Sequence, residues 1–386
     1  MIGREVAHYR VTSKLGSGGM GVVAVMRSSC RTVTMIGLVL ALPATALAQA
    51  APPAQPAPPP KTEEAPPPAF KISGLMFGDY YDVLTNHRDD IESRNGFWIR
   101  RLYLTYDHTL STSLSLRVRL EANGKGDFVS TGVNTPYIKD AWLKWVFGAH
   151  ALTIGLAPTP HIDFVDSFQG YRPVEKSPFD LYRWDSSRDL GLLVQGGLGQ
   201  NKRTRYSFQF GDGSGTGSET DASKAVRGQL AHRFASGLVL EGYADWQDRP
   251  DGRDVLTFEA FAGWQEKAWR ASLEYGHQGR REAGPGGTDL SLDFFSAFAA
   301  VQVSPKVAVL GRVDRNFDPI PNGETIDYMP FSDQARSVFG LVGVDVTLTK
   351  NVHLIPNVEV TAYDETAGGT TPGTDVVPRL TLFFSW

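Results

Sequence analysis

From Phe70 to Trp386, apolar and polar residues alternate with a period of two, in runs separated by turn residues. In Leu114–Glu121 one face carries Leu114, Leu116, Val118 and Leu120, and the other carries Ser115, Arg117, Arg119 and Glu121. Tyr206–Phe210, Leu238–Glu241 and Arg379–Leu382 repeat the pattern. Sixteen such runs begin near residues 70, 96, 112, 136, 150, 188, 202, 224, 237, 254, 268, 290, 306, 335, 351 and 375. At about ten residues each they fill roughly half of this stretch, well above the strand share of an ordinary globular domain. The body is predicted to be all-β.

The spacing between runs decides the architecture. Tight turns at Phe147–Ala149, Gln265–Lys267, Ser304–Pro305 and Lys350–Asn351 alternate with long polar loops at about 84–95, 124–135, 159–186, 211–223, 247–253, 277–289, 316–334 and 364–374. Eight long loops interleaved with seven short turns require an even strand number, with both ends on the short-turn side. This is the organisation of a 16-stranded antiparallel transmembrane β-barrel with short periplasmic turns and long extracellular loops. A soluble sandwich or propeller gives no reason for such alternation. Aromatic residues on the apolar faces fall into two bands. Tyr106, Phe147, Phe234, Trp264, Trp269 and Trp386 lie near short turns, and Trp98, Tyr137, Trp246 and Tyr275 near long loops. Two bands predict interfacial girdles, although aromatics are common in any strand.

The first 69 residues do not share the pattern. Arg27 and Arg31 precede a short apolar stretch from Met35 to Leu47, and Ala48-Gln49-Ala50 fits a small-residue cleavage site. Residues 26–50 therefore read as a secretory signal peptide. Residues 51–69, rich in proline and alanine, cannot build a core and read as a periplasmic linker. Upstream, Gly16, Gly18 and Gly21 have G-x-G-x-x-G spacing, and residues 9–23 resemble the glycine-rich loop that opens bacterial Ser/Thr kinases. The match ends there. No V-A-I-K lysine, H-R-D loop or D-F-G follows, so no kinase chemistry is predicted, and residues 1–25 read as an upstream extension before a start at Met26.

The formal charge of −4 is unevenly placed: residues 1–50 hold five bases and one acid, and the rest hold 33 bases and 41 acids. An acidic body lacks the basic footprint that nucleic-acid binding needs. Cys30 alone allows no internal disulfide, and the histidines of the body form no i, i+4 pair. No metal site and no cofactor are predicted. No apolar run reaches eighteen residues, so no helical span is predicted either.

Several blocks look like the phosphate-selective porin O and P family. They are Gly96–Tyr106, Asp140–Trp145, Leu152–Pro160, Gly170–Arg172 and Ser187–Gly191. The resemblance is best over about 70–215. It implies an outer-membrane diffusion channel, often a homotrimer, in contact with outer-membrane lipid and lipopolysaccharide. The ending Leu380–Trp386, with Phe384 and Trp386 as its aromatics, resembles the C-terminal signal read by the outer-membrane assembly machinery. Selective members of the family carry dense arginine and lysine ladders in the lumen. Here the polar strand faces hold ten bases, among them Arg101, Arg117, Arg119 and Lys144, and ten acids, among them Asp140, Glu121, Glu241, Glu259 and Glu274. Such balance favours cross-strand pairing over a dedicated anion site.

The third long loop carries six aromatics and eight charged residues between Thr159 and Ser186. Six aromatics left in water would be costly, and in sixteen-stranded porins the third loop folds inward. Asp163, Asp166 and Arg172 are its candidate selectivity residues. The function expected is passive diffusion of small hydrophilic solutes, with no catalytic step. The alternative is a surface-binding or adhesive barrel with a plugged lumen. A lipid-hydrolase site would need a serine, a histidine and a polar orienter close together; His232 falls on an apolar face, but a lone wall histidine near the short-turn side reads more readily as an interfacial residue.

Overall fold

The computed structural model describes residues 5–6, 9–18, 21–28, 69–129 and 132–386. The chain divides into two compact units, Met1–Glu63 and Glu64–Trp386. The first contains an antiparallel sheet of β1 (Glu5–Val6), β2 (Tyr9–Gly18) and β3 (Gly21–Ser28). The kinase-like glycine segment spans the β2–β3 hairpin. The start expected at Met26 falls inside β3. The rest of the signal peptide and all but the last residue of the linker lie outside the described residues.

The second unit is a closed barrel of sixteen antiparallel strands. Its first half is β4 (Ala69–Asp82), β5 (Asn95–Thr109), β6 (Leu114–Asn123), β7 (Thr135–Phe147), β8 (His150–Pro158), β9 (Arg188–Leu198), β10 (Thr204–Gly211) and β11 (Ala225–Arg233). The second is β12 (Leu238–Gln247), β13 (Val255–Gln265), β14 (Trp269–Arg280), β15 (Leu290–Ser304), β16 (Val307–Asn316), β17 (Ser337–Thr349), β18 (Val352–Tyr363) and β19 (Asp375–Ser385). Every neighbour in sequence is a neighbour in the sheet. Pairing of β19 with β4, from Arg379 opposite Tyr81 to Ser385 opposite Leu75, closes the ring and leaves no edge. Long loops all emerge at one end and short turns at the other, as the alternation predicts.

Period-two patterning sets which side chain faces which way. In β12, Leu240, Ala244 and Trp246 point outward, and Val239, Glu241, Tyr243, Asp245 and Gln247 are buried inside. The outer wall is a belt of exposed Leu, Val, Ile, Phe and Trp, which in water would be a severe liability. Trp264, Trp269, Phe234 and Trp386 belong to this outer face, as expected.

Trp98 and Tyr137 do not. Both face inward, because two β-bulges shift the parity of their strands. In β5, Phe77 pairs with Arg101 and Gly78 with Ile99, so Arg100 is the extra residue. In β7, Arg119 pairs with Asp140 and Leu120 with Ile138, so Lys139 is extra. Beyond each bulge the faces exchange: Phe97 and Ile138 take the lipid side, and Trp98 stacks on Tyr81 at 3.9 Å.

Candidate functional site

The third long loop lies inside the barrel. Pro160 begins α1 (Pro160–Gln169), where its fixed φ suits the first turn, and Gly170 ends it in the left-handed conformation (φ 69°) with its N–H on the Asp166 carbonyl at 2.8 Å. Val165 and Phe168 on one side of α1 pack against Val239 and Phe261. Ile162, Val174, Phe179, Leu181, Tyr182 and Trp184 pack against inward residues of β15–β17, including Phe294, Leu310 and Phe339. Ile320, Ile326, Met329 and Phe331 of the loop 317–336 join the same core. A barrel interior that alternation alone would leave polar thus holds a packed apolar cluster along one side.

Charged groups of the wall pin this loop. Arg100, the bulged residue, donates to the Val174 carbonyl at 2.7 Å and to Glu175 at 2.8 Å. Arg312 donates to the Lys176 carbonyl, the Tyr182 hydroxyl donates to Asp314 at 2.6 Å, and Arg227 pairs with Asp185 at 2.8 Å. Within the loop, Arg172 pairs with Asp180 at 3.0 Å and Asp166 at 3.4 Å. Burial opposes ionisation of Asp180, but Lys176 and Arg172 outweigh it and hold the carboxyl well below the ordinary carboxylate range. His161 in α1 has the opposite balance. Fully buried, stacked on Tyr243 at 3.9 Å and with neither ring nitrogen hydrogen-bonded, it is pushed by burial down to about 3.

The bases of β5–β9 form one wall of the interior. Arg101 and Lys139 share Glu121, the latter at 3.1 Å, and Arg119 meets Asp140 at 3.1 Å, with Arg188 on the same carboxylate. Arg117 pairs with Asp107 at 2.6 Å, and both Arg117 and Lys144 lie over the Trp142 ring. Of the eight residues singled out in the sequence, Arg101 and Asp140 are buried in the wall. Arg117, Arg119, Lys144, Asp166 and Arg172 are half-buried with open edges, and Asp163 is exposed. Arg100, Lys139 and Arg188 complete the network and were not singled out. The first two appear on this face only because of the bulges, which leave no mark in the period-two pattern. Arg188 opens a strand directly after the longest loop, a position that its repeat could have signalled.

Further around the ring, β12–β14 present a run of carboxylates. Glu241, Asp245, Glu259 and Glu274 all face inward and are buried. Glu241 accepts from Gln229 at 2.9 Å, but neither oxygen of Glu259 or Glu274 has a hydrogen-bond partner among the described residues. The balance expected from counting is therefore real in number and uneven in space. Two chambers flank the loop. One of about 440 Å³, at the long-loop end, is lined by Lys176, Asp180, Arg183, Gln247 and Arg249. The other, of about 330 Å³ at the short-turn end, is lined by Asp163, Phe164, Ser167, Arg205, Gln229 and Arg233.

No family model matches the chain, and no curated protein sequence does. Solved structures do. An anion-selective porin from Comamonas acidovorans superposes with a TM-score of 0.61 at 13% identity, over 83% of this chain and 100% of that one. The outer-membrane channel DcaP of Acinetobacter baumannii gives 0.57 at 11% identity, over 83% and 97%. OmpT of Vibrio cholerae in its trimer form gives 0.56 at 11% identity, over 83% and 99%. The chain has the fold of the 16-stranded outer-membrane porins.

Proposed function

We propose that this barrel is an outer-membrane porin through which small hydrophilic solutes and ions diffuse passively, with no catalytic step. The observation that carries the reading is the seating of loop 159–187 inside a closed barrel between two polar chambers. On this reading the loop narrows the lumen, and solute passes between its exposed face (Asp163, Asp166, Arg172 and Asp180) and the basic wall of Arg117, Arg119 and Lys144. Bases on one side and carboxylates on the other set a field across the path, which orients dipolar solutes. Most bases are already paired. This supports a general channel rather than one dedicated to phosphate, so the resemblance to the phosphate-selective O and P family is carried here at the level of architecture.

The exposed apolar belt supports residence in the outer membrane, with lipid and lipopolysaccharide as its surroundings, long loops outward and short turns in the periplasm. A homotrimer is part of the proposal, supported by the trimeric form of the Vibrio relative. Phe384 and Trp386 would serve recognition by the assembly machinery. The packed core around loops 159–187 and 317–336 favours the second reading, a surface-binding barrel with a plugged lumen. Liposome swelling separates the two: the folded protein should admit sugars at rates that fall as solute size rises. No swelling with any solute would favour the plug.

A further inference from the structure

Among the contacts that tie loop 317–336 down at the long-loop mouth, one is made by a histidine. His87, in the loop 83–94, is buried, and both of its ring nitrogens face carboxylates. Nδ1 lies 2.9 Å from Asp375 at the start of β19, and Nε2 lies 3.1 Å from Glu324 in loop 317–336. A neutral imidazole has a single N–H and leaves one of these carboxylates facing a lone pair; only the imidazolium donates to both. The surroundings are otherwise fixed. The His87 backbone N–H donates to Asp375 at 2.6 Å, and the Tyr363 hydroxyl at the end of β18 donates to the same carboxylate at 2.5 Å. Arg88, itself paired with Asp90 at 2.7 Å, donates to the Glu324 carbonyl at 3.3 Å and lies 3.8 Å from its carboxylate.

The segment held this way is the one whose Ile320, Ile326, Met329 and Phe331 fill the barrel interior. It also carries a strained residue. Tyr328 is held at φ 68° while its hydroxyl donates to the Gly124 carbonyl at 2.6 Å. Arg183 also donates to the Thr325 carbonyl and Arg379 to the Tyr328 carbonyl, each at 2.6 Å, so the His87–Glu324 contact is one of several that hold the loop and the one that depends on a titrating group.

We propose that protonated His87 is a latch that fastens the Glu324 end of loop 317–336 at the mouth of the barrel, and that loss of its proton loosens that end of the loop. Burial alone lowers the affinity of His87 for its proton, but the hydrogen bond and charge of Asp375, with those of Glu324, outweigh it and raise the pKa above the ordinary value of about 6.5. The sign follows: the latch is complete below the unfolded-state value and is lost as pH rises through the raised one. If the barrel conducts as proposed above, the latch makes its outer mouth more restricted in acid than in alkali.

Hydrogen exchange of the 320–331 amides tests this in the full chain folded in detergent, between pH 5.5 and 9, after correction for the intrinsic pH dependence of exchange. Wild-type protection should fall progressively as pH rises across this range. His87→Gln and Glu324→Gln should show low, flat protection, and the second variant serves if the first fails to fold. Protection that is constant with pH in the wild type, or an unchanged pH profile in either variant, overturns the latch. Bilayer conductance of the same samples keeps the two proposals apart. A pH-dependent loop in a non-conducting barrel retains the latch and rejects the channel; conduction with flat exchange does the reverse.

Discussion

Two histidines show how position alone assigns opposite roles to one residue type. His87 stands between carboxylates and holds its proton more tightly than usual; His161 is buried among rings and takes up a proton only in strong acid. For His161 the linkage runs the other way. Its contribution to loop 159–187 is full above the unfolded value and is lost as pH falls from about 6.5 toward its depressed one. Because neither ring nitrogen has a hydrogen-bond partner among the described residues, phenylalanine should fit the same place against Tyr243 and Phe179 and remove two orphaned polar atoms. His161→Phe should therefore keep α1 protected from hydrogen exchange down to about pH 4, where wild-type α1 loosens by on the order of 1–3 kcal/mol. Equal loosening in both proteins would contradict this account of His161. At this scale the sequence disclosed residue type and not partner. Arg101 and Asp140 stood out as candidate lumen charges, yet they are locked in wall pairs, and Arg100, which grips the loop, gave no signal beyond its neighbour's.

At the scale of elements, sequence patterning carried most of the information. All sixteen barrel strands begin within two residues of the positions read from alternation, because a strand half in lipid and half in a polar interior must alternate to be stable. The exceptions are the faces of Trp98 and Tyr137. A bulge adds one residue without changing composition, so it inverts every face beyond it while leaving the run intact. The inward packing of the third loop was legible from its six aromatics, but its partnership with loop 317–336 was not, since nothing in either loop names the other. Closure of the ring depends on a seam that can be tested. Trp386 exchanges backbone hydrogen bonds with Gly74 at 3.0 and 3.1 Å, and its ring covers that glycine so closely that a Cβ there would lie 2.1 Å from it. Gly74→Val should force the ring off the seam at a cost of about 1–3 kcal/mol. The folded barrel should then convert to its unfolded form at a lower temperature on semi-native gels, and an unchanged transition would show that the ring does not hold the seam.

For the whole molecule, three features converge: an apolar exterior, a ring with no edge, and an interior in which a folded loop separates two polar chambers. The bases of β5–β9 are mostly paired with Asp107, Glu121 and Asp140 of the same wall, so little net charge is left along the axis. A channel of this kind should discriminate modestly between cations and anions while orienting solutes that carry both signs. Single-channel recording of the purified, folded protein in a planar bilayer under a salt gradient tests the central claim most directly. A diffusion channel gives steady, stepwise conductance with a small reversal potential; protein shown to be folded that inserts and yet passes no current is not one.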